Sequence, residues 1–307
     1  MTQLTALPAW QALETHFDTI RDRHMRELFE QDPGRFERFS LRLNDVLFDY
    51  SKNRVDDETM RLLIDLAEAC DVPGWRERMF AGEAINHTEG RAVLHTALGN
   101  QSYRPMSIGG VDVMPEVRSE LERVKALAEA IRSRRWRGAS NQPITDVVSI
   151  GIGGSNLGPL MATEALRPHS IHDLKIHYVS NIDENHILNT LEGLNPETTL
   201  FIVASKSFTT QEAMVNAGTA REWLLAKLED ETDLRQHVVA VTANVAAAEA
   251  FGIARENVFK MWDWVGGRYS MWSAIGLPVA IAIGPEQFDA LLAGAFAADE
   301  HFRTAPL

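Results

Sequence analysis

Two short stretches of glycine and hydroxyl residues stand out for the chemistry they could do. One is Gly151-Ile152-Gly153-Gly154-Ser155-Asn156-Leu157-Gly158-Pro159, and the other is Ser205-Lys206-Ser207-Phe208-Thr209-Thr210-Gln211-Glu212. Each follows an apolar run and opens a helix-like pattern. A strand-to-helix turn of that composition points backbone N–H groups and hydroxyls at an anion, most simply a phosphate. A third stretch, Gly266-Gly267-Arg268-Tyr269-Ser270, adds a guanidinium that keeps its proton. It can stabilise a developing oxyanion but cannot act as a base. Two such loops on one sheet, with an arginine beside them, read as a sugar-phosphate site.

Each stretch also has a plainer reading. The first could be a tight turn with packing glycines, although it fits neither a dinucleotide fingerprint nor a Walker loop. The third glycine of G-x-G-x-x-G is Asn156, and no Gly-Lys-Ser/Thr ends the loop. In the second, Thr209 could cap a helix with Glu212 reaching back, which explains one hydroxyl but not the cluster. Glu212 as a general base is the weaker option, because the helix dipole already explains a first-turn acid. Arg268 could instead be buried against Asp263. His169 and His172 lack an evident third partner, and His24, His87 and His95 are scattered, so no metal site is expected.

The elements that must position these loops follow from periodicity. Asp146–Ile152, Leu174–Val179, Thr199–Ala204, Val238–Thr242 and Asn257–Met261 are short apolar runs. Helical patterns separate most of them, clearest at Gln211–Lys227 with Met214, Ala217, Ala220, Leu224 and Leu225 facing inward. Alternating strands and helices predict a doubly wound parallel α/β sheet, whose ligands sit beyond the carboxyl ends of the strands. Upstream the chain reads as helical. Trp10, Leu13, Phe17 and Ile20 form one apolar face, and Met60, Leu63, Ile64 and Ala67 form another. Pro33-Gly34 and Pro73-Gly74 are expected to stop helices, and Val46–Tyr50 to form a short strand. Pro115 opens a helix carrying the stripe Val117, Leu121, Val124, Leu127 and Ile131. The polar break Gly138–Pro143 is the expected domain boundary.

The 307 residues, 45% of them hydrophobic and 24% charged, have ordinary globular composition. A net charge of −13 argues against nucleic acid and anionic membranes as partners. It also requires a locally positive site for any phosphate. Cys70 is the only cysteine, no secretory leader is evident, and no apolar run approaches ~18 residues, so a cytoplasmic location is expected.

Together the three stretches resemble the glucose-6-phosphate isomerase family. GIGGSNLGP from Gly151, SKSFTTQE from Ser205 and WDWVGGRYSMWSAIGL from Trp262 carry the resemblance, with DYSKNR from Asp49, INHTEGRAVLH from Ile85 and DVMPEV from Asp112. It runs across essentially the whole chain. The resemblance implies a helical N-terminal region over 1–143, a first sugar isomerase domain with a five-stranded sheet over 144–285, and a helix over 286–307 leading toward a second such domain. It implies that Gly154, Ser155, Ser205, Lys206, Ser207, Phe208, Thr209 and Thr210 hold the substrate phosphate. Gly267 would meet the substrate through its backbone, and Arg268 would stabilise an enediolate as a proton moves between C1 and C2. The implied reaction interconverts glucose 6-phosphate and fructose 6-phosphate, in glycolysis and gluconeogenesis. No cofactor or metal is implied, and the full-length protein is expected to be a homodimer.

Departures accompany the match. Ser207 stands where threonine is usual and keeps the hydroxyl, Asn156 replaces a common aspartate, and Gly99 a usual arginine. The family's catalytic glutamate segment, reading like M-E-S-N-G-K, is not in this sequence, nor are its ring-opening histidine and C-terminal lysine. The expectation is therefore an N-terminal portion that binds phosphate weakly and turns over negligibly on its own. The alternative is a non-catalytic sugar-phosphate-binding regulator.

Overall fold

A computed structural model describes residues 3–102, 104–228 and 230–307. The backbone divides into two compact units, Met1–Glu77 with Ala305–Leu307, and Arg78–Thr304.

The first unit carries α1 (Pro8–Ile20), α2 (Met25–Gln31), α3 (Arg35–Arg38), β1 (Ser40–Leu43), β2 (Val46–Asp49), α4 (Asp57–Ala69) and the start of α5 (Val72–Phe80). The expected strand at Val46 is one arm of an antiparallel hairpin with β1, turning at Asn44 with φ 52°. Both arms are short and largely exposed, so β1 has no buried alternation to betray it in the sequence. Asp56 starts α4 with a capping box, accepting from the Thr59 amide while Thr59 accepts from the Asp56 amide. The buried face of α4 is Thr59 and Leu62, not Leu63 and Ile64, and on α1 Phe17 is exposed with only Ile20 buried. Pro73-Gly74 does not stop a helix. α4 ends at Cys70, Asp71 turns the chain at φ 56°, and Pro73 sits in the first turn of α5, where its missing N–H costs nothing.

Arg35 is the largest fully buried side chain of this unit and meets no carboxylate among the described residues. It donates to the Ser51, Asn53 and Val55 carbonyls at 2.8 Å each and lies over the Phe39 ring at 4.6 Å. One guanidinium thus holds the whole Ser51–Val55 loop. Arg35→Met keeps the aliphatic stem but orphans those carbonyls, so the unit should lose about 3 kcal/mol. Urea unfolding followed by far-UV circular dichroism reads this directly, and a loss below about 1 kcal/mol would refute the role.

The second unit carries α6 (Thr96–Gly99), the hairpin β3 (Ser107–Ile108) and β4 (Val111–Asp112), and α7 (Met114–Arg132). There follow β5 (Asp146–Gly151), α8 (Gly154–Ala165), β6 (Lys175–Val179), α9 (Glu184–Leu191), β7 (Thr199–Ala204), α10 (Gln211–Leu225), β8 (Val238–Thr242), α11 (Val245–Ala250) and β9 (Val258–Lys260). A short 3₁₀ segment, Gly267–Trp272, leads to α12 (Leu277–Ile283) and α13 (Pro285–Thr304). Among the described residues the main sheet has five parallel strands in the order β6-β5-β7-β8-β9. The doubly wound expectation is met, with strand limits within two residues of the apolar runs.

Strand alternation divides the core. Val147, Leu200, Ile202, Val239 and Val241 pack with α7, α8 and α12. Val148, Ile150, Phe201, Val203 and Ala240 pack with α9, α10 and α11 on the other face. All seven residues of α12 are buried, which explains why its sequence shows no amphipathic period. Its carboxyl end is met by Arg132 of α7, which donates to the Ile281 and Ala282 carbonyls at 2.9 and 2.5 Å. α7 therefore belongs to the sheet's own unit, and the Gly138–Pro143 break falls inside that unit rather than between units.

His237 pins the break to the sheet. Its Nε2 accepts from the Ala139 amide at 2.9 Å and its Nδ1 donates to the Thr199 carbonyl at 2.8 Å, which demands the neutral ring. Burial pushes its pKa below the ordinary imidazole value, outweighing the Thr199 bond and the distant Asp233 and Glu197 charges. A depressed folded-state pKa means the contribution is present above the unfolded value of about 6.5 and lost as pH falls through it. The unfolding free energy should drop between about pH 7 and pH 5, and His237→Gln should flatten that slope while lowering stability overall. Equal slopes for the two proteins in urea titrations would count against this.

Candidate active site

Gly151 and Ala204, the last residues of β5 and β7, are register partners on neighbouring strands. From β5 the chain moves outward to β6, and from β7 it moves the other way to β8 and β9. The strand order therefore reverses between β5 and β7, and a crevice opens there beyond the carboxyl ends. Both loops singled out in the sequence flank this switch point.

The first loop turns at Gly153, with φ 58° and ψ −119°, a conformation that a side chain would strain. Gly153 is the N-cap of α8 and provides no capping side chain, so α8 opens on the Gly154 amide, while the Ser155 amide is taken by the Ile152 carbonyl at 3.2 Å. Gly154 is required for a different reason. A Cβ there would run into the Gly267 carbonyl and lie 2.8 Å from its Cα. One turn on, a Cβ at Gly158 would lie 3.3 Å from the Met271 Cβ. The N-terminus of α8 thus lies backbone-to-backbone on the 3₁₀ segment that carries Arg268. Ser270, 1% exposed, donates to the Gly267 carbonyl at 2.6 Å and lies 3.3 Å from the Gly154 carbonyl, locking the contact. Asn156 is buried behind it.

In the second loop the hydroxyls pair with each other. Ser205 donates to Thr210 at 3.1 Å and Thr209 donates to Ser207 at 2.7 Å. The expected Thr209–Glu212 capping box is absent, since the N-cap is Thr210 and its side chain caps nothing. The first-turn amides of α10 are left open to the crevice, with four pre-oriented hydroxyl oxygens beside them. Glu212 stays in the first turn, half-buried. Phe208 holds this shape. It sits at φ 55°, strained for an aromatic residue, and its ring is buried edge-on against Phe251 with centroids 6.0 Å apart. Its amide is taken by the Ser205 carbonyl at 3.2 Å, so Phe208 shapes the loop rather than facing a ligand.

Lys206 also departs from the simplest expectation. Its Nζ donates to the Asp263 and Val265 carbonyls at 2.7 and 3.1 Å, bracing the segment that leads into Gly266–Arg268. Burial first, and the Arg91 charge second, lower its pKa. Its charge remains near the crevice, but its donors are engaged.

Arg268 is exposed, and the Arg268–Asp263 alternative fails. Asp263 accepts from Arg91 at 3.3 Å. Arg268 lies 5.3 Å from the Tyr269 ring centroid, and no carboxylate pairs with it among the described residues. Tyr269 in turn stacks on His95, with centroids 4.2 Å apart and planes 12° apart. Burial, and then the Arg268 charge, lower the His95 pKa. Arg91 and His95 lie in the INHTEGRAVLH stretch but were given no site role from the sequence, because nothing in their spacing marks one. The Leu94 amide, which donates to the Trp264 carbonyl at 3.3 Å, brings their segment in from far along the chain. The result is a local group of Arg91, Lys206 and Arg268 on a chain of net charge −13. Gly267, Arg268, Tyr269, Ser207 and Thr209 are all exposed, so the site is an open face rather than an enclosed cavity.

A doubly wound parallel sheet with two helix N-termini lacking side-chain caps at its switch point, and an arginine with no carboxylate partner among the described residues beside one of them, defines the class as a doubly wound α/β protein. The phosphoglucose isomerase family model matches residues 49–307, and the chain belongs to that family. It is similar to the glucose-6-phosphate isomerase of Methylococcus capsulatus, 54% identical over 306 residues, covering 100% of this chain and 56% of that protein. It is likewise similar to that of Pseudoalteromonas translucida, 50% identical over 307 residues with the same coverage. The crystal structure of a glucose-6-phosphate isomerase from Chlamydia trachomatis superposes with a TM-score of 0.82 at 26% identity, covering 99% of this chain and 57% of that one. The chain thus spans 56% of the length of the curated relatives it matches.

The Gly154–Gly267 contact makes a sharp test. Gly154→Ala should push α8 off the Arg268 segment and destabilise the unit by about 1–3 kcal/mol. It should also abolish protection of the amide at position 154 by inorganic phosphate in hydrogen exchange. Gly218→Ala, where a Cβ meets nothing within 4 Å, is the control. Wild-type stability and protection in Gly154→Ala would show that the contact is dispensable.

Proposed function

We propose that this chain forms the phosphate-binding and charge-stabilising part of a glucose-6-phosphate isomerase, acting on glucose 6-phosphate and fructose 6-phosphate. The observation that carries the reading is the meeting, at one switch point, of two uncapped helix N-termini and an unpaired guanidinium. The phosphate is held by the Gly154 amide and the first-turn amides of α10, and by the hydroxyls of Ser155, Ser205, Ser207, Thr209 and Thr210. Each helix end favours the anion by ~0.3–1 kcal/mol before hydrogen bonds are counted. Lys206 serves by bracing the Val265–Arg268 segment, and Phe208 by fixing the loop.

The isomerisation removes a proton from C2 and returns it to C1, with negative charge passing over O1 and O2 as the enediolate forms. Arg268 faces that charge from a segment fixed by Gly154, Ser270 and Lys206, so little reorganisation is needed at the moment of reaction. Gly267, with no side chain, lets the sugar approach the backbone. Proton transfer needs a base, which contributes about 10²–10⁴-fold. The resemblance assigns that task to a glutamate in a segment outside 1–307. Residues 1–307 alone are then a sugar-phosphate binder with negligible turnover.

The test is calorimetry and thermal shift with fructose 6-phosphate on the purified chain, alongside a coupled isomerase assay. Ligand at about 100 times its Kd should stabilise the fold by about 2.7 kcal/mol. Ser205→Ala with Thr210→Ala should weaken binding at least about tenfold, roughly 1.4 kcal/mol. Arg268→Lys should weaken it less, because Arg268 serves the transition state. Absence of saturable binding would sink the phosphate site, and robust turnover by 1–307 would sink the assignment of the base.

A further inference from the structure

A cavity of about 120 Å³ lies in the sheet-bearing unit between α6, the Arg104–Met106 segment and α13. That is on the order of four waters' worth of space, at ~30 Å³ each. Phe80 and Phe296 provide apolar aromatic walls. The polar groups around it divide into satisfied and unsatisfied. Glu300 is bound by Arg104 at 2.5 Å and by Arg303 through bonds of 2.8 and 3.1 Å, so both guanidiniums are committed to it. The Asn100 side chain accepts from Ser102 and donates to the Arg104 carbonyl. Two groups remain. The Thr96 hydroxyl belongs to a residue only 3% exposed and has no partner. The Asp299 carboxyl is half-buried, and no cation meets it among the described residues.

A buried hydroxyl and a carboxyl left without partners are costly unless a ligand answers them. Gly99, one residue before Asn100 on α6, adds no side chain that could. Its Cβ position lies 3.5–3.6 Å from Phe296 and Ala295, so α6 packs closely on α13 beside the cavity. The missing complement is a compact group with N–H donors, a positive charge and a surface that tolerates aromatic rings. We propose that this cavity binds a small organic cation of the guanidinium or primary-ammonium class, donating to the Asp299 carboxylate and the Thr96 hydroxyl. An anion is disfavoured, because Arg104 and Arg303 already serve Glu300 and the free carboxyl would repel it.

The groups facing Asp299 are Glu300 and Arg303 on α13 and Arg104 on the adjoining segment. Burial, and then the like charge of Glu300, push the Asp299 carboxyl up to about 6. It is therefore ionised and ready for a cation in mildly alkaline solution and largely neutral in acid.

Methylguanidinium chloride is the probe, titrated by calorimetry into residues 1–307 against matched sodium chloride. One saturable site with millimolar affinity is expected at about pH 8, about tenfold weaker at about pH 5 as the carboxyl protonates. Asp299→Asn should weaken binding at least about tenfold, and the isosteric Thr96→Val several-fold. Circular dichroism checks folding, and if Asp299→Asn fails that check, Thr96→Val and the pH dependence carry the test. No saturable heat with the wild type, or unchanged affinity in either variant, would overturn the proposal.

Discussion

The contact between Gly154 and Gly267 is the constraint on which the rest of the site depends. Two backbones meet there with no room for a single carbon atom, and the buried Ser270 hydroxyl bridges their carbonyls. The contact joins the N-terminus of α8, a fixed positive pole, to the segment that aims Arg268. Without it, two anion-stabilising features would move independently, and the distance between them would be set by loop flexibility. With it, a shift in one is a shift in the other. Gly158 against Met271 extends the same close packing one helical turn, so the register of α8 on the 3₁₀ segment is fixed along its first two turns.

Electrostatics and strain are arranged around that contact. The molecule carries a net charge of −13, yet Arg91, Lys206 and Arg268 collect on one face at the end of the sheet. Lys206 is tied to two carbonyls and Arg91 to Asp263, which leaves Arg268 as the cation there whose donors are uncommitted among the described residues. The second loop keeps the α10 N-terminus open by pairing its hydroxyls with one another. Phe208 holds that arrangement in a left-handed conformation anchored by a buried ring. Strain of this kind costs on the order of 1–3 kcal/mol and persists where surrounding packing over-determines it.

The central strands β5, β7 and β8 were legible from apolar runs because they are buried on both faces, while β6 at the sheet edge is mostly half-buried. The helical unit was read less well. Its amphipathic faces are half-exposed, so Leu63 and Ile64 gave as strong a signal as the buried Leu62. Of the β1–β2 hairpin, only the Val46 arm was expected, and β1 left no signal because its residues are largely exposed. Glycines and hydroxyls drew attention to both loops, and the structure sets both at the ends of neighbouring strands. The roles of individual side chains were less visible, since Lys206 and Phe208 face the protein rather than the crevice, and His95 and Arg91 carry no spacing signal.

By itself the sequence determined the doubly wound class, the two loops at strand ends and the arginine, because periodicity and backbone permissiveness are local properties of residue type. Only the tertiary structure decided that the loops share one switch point, since strand order is a matter of which runs pair. It also decided that Gly154 serves contact rather than ligand approach alone, and that Asp263 belongs to Arg91 and leaves Arg268 free. Those outcomes rest on which distant backbones come within a few ångströms of each other, and packing of the whole sheet sets that distance.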